Sequence, residues 1–398
     1  MTNYPFCHGN PRTPVKLTPN SGSPSTWQWT PYHEARYCKP DASGPCFVGP
    51  EAPSSYGQNA PCPFGGVTAN NFDLAYYPFV FALSDGTLYS PSSPYGATGG
   101  SQLQGRKLRP AFTDWQTAPT PPIPGGAAVM FGKDRIMLAG GTTVSCGEGC
   151  GVHNPNQVPS KKAYVIEMSQ SSPEWVAKAD MHNARVHFYL IGLPDGNILS
   201  VGGTRAAPAT PEPEYIPDCY VPNGVLEPEL YNPSSNVWTE LAPMGTPRQY
   251  HSTVLLLPDG SVIAAGGQLV DPYGAAWEQN NQWTYQIYKP PYFFQGLRPV
   301  INDAPESTPY NDTFVVDVST LASSITAVRL IRPGSVTHSV DFDQRVLDLQ
   351  FATSTGYEIR VAAPPNANEA PPGYYLLFVC TGTNGSLPSE GRFIRIGA

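Results

Sequence analysis

Two stretches of the chain obey one grammar, and that repeat limits the fold more than any other feature. The segment SSPEWVAKADMHNARVHFYLIGLPDGNILSVGGT ends at Thr204, and NPSSNVWTELAPMGTPRQYHSTVLLLPDGSVIAAGGQ ends at Gln268. In each, a Trp (Trp175, Trp238) stands six residues before a Met, and an Arg follows four later, at Arg185 and Arg248. An apolar run, Pro-Asp-Gly, a second apolar run and Gly-Gly complete the unit. Asp-Gly between apolar runs is a hairpin signal, and a type I′ turn, with positive φ at both central residues, is the expected connection. A weaker copy runs through NNFDLAYYPFVFALSDGTLYS with Asp85-Gly86 at its turn, and another through AAVMFGKDRIMLAGG, ending at Gly141. The Gly-Gly marks at Gly141, Gly203 and Gly267 are about sixty residues apart. Four-stranded units of this kind bury their faces only by stacking around an axis, as propeller blades.

The rest of the chain agrees with an all-β reading. Charged residues make up 14%, while Gly (38) and Pro (46) are abundant, a balance that disfavours long helices and suits short strands joined by turns. Blades are countable over 65–289. Within 1–64, STWQWTPYHEAR has a tryptophan-to-arginine spacing close to that of the repeat, Trp27 to Arg36, and reads as a further, degenerate blade, which makes four to five in all. The linker IYKPPYFFQGLRPVI breaks the repeat, and TFVVDV, AVRLIR, RVLDLQF, GYEIRVAAP, YYLLFVC and GRFIRI then follow at sandwich-like intervals. The expected organisation is therefore an irregular segment 1–64, blades over 65–289 and a β-sandwich over 290–398.

The formal charge of −8 and the lack of a dense Lys/Arg stripe exclude nucleic acid as an expected partner. No run of apolar residues is long enough for a membrane-spanning helix, and Met-Thr-Asn-Tyr-Pro lacks the regions of a signal peptide. Among eight cysteines, Cys38 with Cys46 and Cys146 with Cys150 are close enough for local bridges, and zinc is the lesser reading because neither pair has CxxC spacing or a partner pair with it. Sequons at Asn311 and Asn384 are compatible with a secreted glycoprotein.

RQYHSTVLLLPDGSVIAAGG, the Pro-Pro-Tyr linker, THSVDFDQRVLDL and PPGYYLLFV with PSEG together resemble the last blade and the C-terminal early-set sandwich of the glyoxal oxidase and galactose oxidase family. NNFDLAYYPFVFALSDG and SPEWVAKADMHNARV resemble glyoxal oxidase blades in the same order. The resemblance covers roughly 65–398. It implies a kelch-like β-propeller followed by an immunoglobulin-like early-set sandwich in an extracellular or cell-wall protein. It also implies one Cu(II) held by two His and two Tyr, and oxidation of a small aldehyde or primary alcohol with O2 to give hydrogen peroxide.

Carried onto this sequence, the resemblance makes Tyr250 the axial tyrosine, His251 one equatorial ligand and His338, from the sandwich, the other. Imidazole nitrogen and phenolate oxygen suit Cu(II) on their own chemistry. Adjacent residues of a regular strand point to opposite faces, so Tyr250 and His251 share an ion only at an irregular strand start. His187 in ARVHFYLIG aligns with His251 when counted back from Pro-Asp-Gly and with Tyr250 when counted forward from Arg185. The family's cross-linked Cys–Tyr radical pair has no full match. Cys7 has Phe-Cys without strand or turn, and Tyr37, after Arg36 and beside Cys38, lacks the hairpin. Without that pair a two-electron oxidation lacks its second acceptor. A non-catalytic, carbohydrate- or protein-binding scaffold of the cell wall is therefore the alternative. The family ring has seven blades, so missing N-terminal blades are the favoured expectation, with a smaller rearranged ring or a partner chain that completes it as the alternatives. Trp277 and Trp283, near the last blade, are packing residues in this reading or the lining of a pocket.

Overall fold

A computed structural model describes residues 15–18, 28–31, 77–92, 104–110, 115–123, 125–142, 159–205, 224–249, 251–267 and 282–397. The chain is all-β, with short 3-10 turns and no α-helix among these residues. Val15–Thr18 pairs antiparallel with Gln28–Pro31. Four sheets follow in chain order. Blade A begins with the inner strand Phe81–Ala82, blade B with Ala127–Met130, blade C with Tyr189–Gly192 and blade D with Ser252–Leu256. Blades A to C have four antiparallel strands each in sequence order, and blade D has three, ending at Tyr285–Tyr288. The inner strands of B and C are buried on both faces, as their apolar runs AAVM and YLIG require. The inner strand of D alternates buried and half-buried residues.

The repeat grammar has a structural meaning. Arg185 and Arg248 are fully buried and each donates to a carbonyl of its own blade's Gly-Gly, at Gly202 (3.1 Å) and Gly266 (2.8 Å). The Gly-Gly of the preceding blade then donates back to the arginine's carbonyl, Gly141 N–H to Arg185 (3.0 Å) and Gly203 N–H to Arg248 (2.8 Å). Arginine and diglycine thus lock one blade to the next. At Gly202, with φ +75°, a Cβ would stand 2.2 Å from the Arg248 carbonyl oxygen, so no other residue fits.

The expected type I′ turn does not form at Asp-Gly. Gly86, Gly196 and Gly260 have positive φ, but Asp85, Asp195 and Asp259 do not. Gly196 N–H donates to Leu193 O and Leu193 N–H to Asn197 O, which makes a three-residue loop with glycine alone in the left-handed region. The residue before Asp belongs to the loop as well: Pro194 and Pro258, with φ fixed near −65°, suit its first position in blades C and D, and Ser84 takes the same place in blade A. Each Asp secures its loop by accepting the N–H two residues on, from Thr87, Asn197 and Ser261.

Residues from Ile301 onward form a four-stranded and a six-stranded sheet around their own core, including Phe314, Val316, Leu330, Ile359, Leu377 and Ile394. This sandwich docks on the turn end of the blades. Arg345 donates to Ala82 O of blade A (3.1 Å), Arg329 to Pro194 O of blade C (2.7 Å) and Arg298 to Asp259 O of blade D (2.7 Å). A shared apolar cluster joins Tyr189, Ile191, Val254 and Val262 to Ile331, Val346, Leu376 and Phe378. Asn311 and Asn384 lie in exposed turns of the sandwich.

Candidate metal centre

From the docked sandwich a two-stranded hairpin, Val336–Thr337 paired with Val340–Asp341, returns along the inner strands of the blades. Arg345 bridges Met130 of blade B, Gln344 accepts from Gly192 N–H of blade C (2.8 Å), and Val340 is buried among residues of blades A and B. The hairpin tip, His338-Ser339, therefore reaches the end of the inner strands opposite the Asp-Gly turns. Both tip residues have positive φ, 49° and 62°, the signature of a two-residue type I′ turn. Neither is Gly, Asn or Asp, so each carries roughly 1–2 kcal/mol of backbone strain. The turn type expected at Asp-Gly is found here instead, where the sequence has no Asn-Gly.

At that end of the blades a second regularity appears. One left-handed residue stands eight positions before the hairpin centre in every blade: Tyr77 before Asp85, Gly125 before Lys133, His187 before Asp195 and His251 before Asp259. This settles the alignment of His187, which takes the place of His251 in its own blade. The two counts disagreed because Arg248 is eleven residues from Asp259 whereas Arg185 is ten from Asp195. Blade D thus has one extra residue between the buried arginine and the left-handed position, in the stretch Gln249-Tyr250.

The structure brings His251 and His338 together, one from each domain, with their Nε2 atoms 3.1 Å apart and their rings edge to face. Tyr77 lies flat on the other ring, its centroid 3.8 Å from that of His338 and the planes 10° apart. Sequence reasoning passed over Tyr77, although its place eight residues before Asp85 matches that of His251 before Asp259. His338 Nδ1 is 2.6 Å from Thr337 Oγ1. Burial, and then the neighbouring His251, push the His338 imidazole below its usual pKa. Tyr250 lies outside the described residues, as do Cys7, Tyr37, Cys38, Cys46, Cys146, Cys150 and Trp277. Trp283 is 83% exposed, so it is not a core packing residue. His187 is buried, which pushes its imidazole down to about 4.

Asp341 organises the hairpin base, its Oδ1 accepting N–H groups from Ser335, Asp343 and Gln344, each at 3.0 Å. The donor set fits a Cu(II)-type ion. Two nitrogens that each stand about 2.0 Å from one ion at a right angle are about 2.8 Å apart, close to the separation seen. When His338 Nδ1–H donates to the Thr337 hydroxyl, the Nε2 lone pair is left for a metal, the usual outer support of a ligating histidine. Among the described residues no group of three or more His, Cys, Asp or Glu side chains gathers, and this centre contributes two histidines.

Comparison with known proteins agrees with this architecture. The family described as glyoxal oxidase N-terminus matches residues 124–292, and the galactose oxidase-like early set domain matches 298–396. The aldehyde oxidase GLOX1 of Arabidopsis thaliana is 30% identical over 249 residues, which cover 58% of this chain and 38% of that protein. A galactose oxidase of Gibberella zeae is 30% identical over 282 residues, covering 68% and 37% respectively. The chain thus spans less than half the length of these curated relatives. A solved structure of a fungal alcohol oxidase of the AA5 family, in complex with copper, shares the fold. It aligns with TM-score 0.66 and 22% identity, over 81% of this chain and 63% of that one.

Proposed function

As this chain belongs to the glyoxal oxidase and galactose oxidase family, we propose that it is a copper-dependent oxidase of that type. In this reading it acts outside the cell or in the cell wall on a small aldehyde or primary alcohol, with O2 as acceptor and hydrogen peroxide as product. The observation that supports it best is the facing pair His251 and His338, whose Nε2 atoms are 3.1 Å apart although 87 residues separate them in sequence. His251 and His338 would hold the ion, with Tyr250, which the family resemblance adds, as a further ligand. Bound there, Cu(II) supplies a one-electron acceptor and a position at which a substrate oxygen becomes more acidic. Thr337 Oγ1 stands where it can accept the His338 Nδ1–H when Nε2 serves a metal, and Tyr77 covers one face of the ring. The exposed sequons at Asn311 and Asn384 suit an extracellular place, and no helix among the described residues is long and apolar enough to cross a membrane.

Oxidation of an aldehyde or alcohol removes two electrons, and this sequence offers no full match to the family's Cys–Tyr acceptor. Copper binding and turnover are therefore separable. The test is a Cu(II) titration against a competing chelator for the parent, His251→Ala and His338→Ala, with peroxide measured from methylglyoxal and from primary alcohols. Each substitution is expected to weaken copper at least tenfold, the usual scale for a lost metal support. Equal affinity in all three proteins sinks the copper reading, and tight copper without peroxide favours the non-catalytic scaffold.

A further inference from the structure

One tyrosine hydroxyl ties together the two strands that carry the histidine pair. Tyr189, on the inner strand of blade C, donates its O–H to the carbonyl of Ser252, the residue after His251 (2.7 Å). The same oxygen accepts the N–H of Ser339, the residue after His338 (3.1 Å). We propose that Tyr189 is a positioning residue for the centre, its hydroxyl setting the separation of His251 and His338 by bridging Ser252 and Ser339. The inference rests on the copper reading for its function and on hydrogen-bond geometry for its structure.

Three observations carry it. A phenol has one donor proton, and here it serves one domain while a lone pair of the same oxygen serves the other. His251, His338 and Ser339 all have φ between 49° and 62°, conformations that a chain leaves unless its surroundings hold them. The bridge lies beside all three. The ring of Tyr189 is 2% exposed in the cluster shared by blades C and D and the sandwich, so the hydroxyl is fixed from behind. Burial raises the phenol to about 12, so it keeps the proton it donates.

The test is Tyr189→Phe, which removes one oxygen and leaves the ring packed. Tyr231→Phe is the control, since it removes another buried tyrosine hydroxyl, bonded to Asn236 (2.9 Å) in the outer part of blade C. Two readouts are needed. Hydrogen exchange of the 336–341 segment in the metal-free protein is expected to quicken in Tyr189→Phe alone. Cu(II) affinity, from chelator competition, is expected to fall tenfold or more in Tyr189→Phe and to stay at the parent value in Tyr231→Phe. Unchanged exchange overturns the bridge, and quickened exchange with parent affinity overturns its role in setting the pair. If His338→Ala binds copper as the parent does, the copper reading fails, and the exchange arm still decides the bridge.

Discussion

Glu229→Ala should be among the most damaging single changes in the propeller. Glu229 is fully buried, and its carboxylate accepts the backbone N–H of His182 (2.6 Å) and Asn183 (3.0 Å) as well as the Arg185 guanidinium. Arg185 is fully buried too, and desolvation pulls its pKa down while Glu229 opposes the shift. Removing the carboxylate strands a positive charge and two backbone donors away from water. Breaking a buried pair from one side costs about 3–5 kcal/mol. At roughly 2–4 °C per kcal/mol for a unit of this size, the melting temperature should fall on the order of 10 °C. Urea unfolding followed by circular dichroism measures the loss directly, with an unchanged slope showing that stability alone has moved. In a cycle with Arg185→Ala, the double variant should lose about 2 kcal/mol less than the sum of the single losses. A Glu229→Ala cost below about 1 kcal/mol, within the range of an exposed pair, would refute the argument.

Three further outcomes follow from the centre and its frame. Ser339→Gly should stabilise the chain by about 1 kcal/mol and keep copper binding, because glycine adopts φ 62° without strain and the buried Oγ has no hydrogen-bond partner; a loss of stability in urea would contradict this. Tyr77→Ala should weaken copper roughly three- to tenfold in the chelator titration, the worth of one aromatic stack, and Tyr77→Phe should keep most of the affinity; equal loss in both would place the effect in the hydroxyl. His187 makes stability fall in acid. Its imidazole is depressed from 6.5 to about 4, so the unfolded chain takes up the proton first and stability is lost as pH drops through that window, by about 3 kcal/mol in all. His187→Asn, which tolerates the left-handed backbone, should flatten the slope between pH 6.5 and 4 in urea midpoints; an unchanged slope would move the effect elsewhere.

Much of this molecule was legible in the sequence, because a repeated grammar reflects a repeated physical need. The buried arginine and diglycine recur since each blade must be hydrogen-bonded to the next, and Asp-Gly recurs since each hairpin must close. The turn type was misread because Asp-Gly was weighed as a two-residue loop, whereas the residue before it, Ser84, Pro194 or Pro258, is part of the loop. Of the centre, the motifs pointed to His251 and His338, but nothing in their spacing brings together residues from two domains. Only the sandwich docking, through Arg345, Gln344 and the hairpin they anchor, does that. Tyr77 and Tyr189 were missed for different reasons. Tyr77 sits in a degenerate copy of the repeat, and its one signal was the count back from Asp85. Tyr189 lies in an apolar run that reads as core, and its ring is core, while its hydroxyl acts on the backbone of two distant segments, which no motif encodes.

The central claim is that His251 and His338 hold one Cu(II) ion between two domains, and pulsed electron paramagnetic resonance tests it most directly. With one equivalent of copper, the protein should show modulation from two imidazoles on a tetragonal centre, with one imidazole lost in His338→Ala and one in His251→Ala. A spectrum of dispersed copper, or one that neither substitution changes, would contradict it.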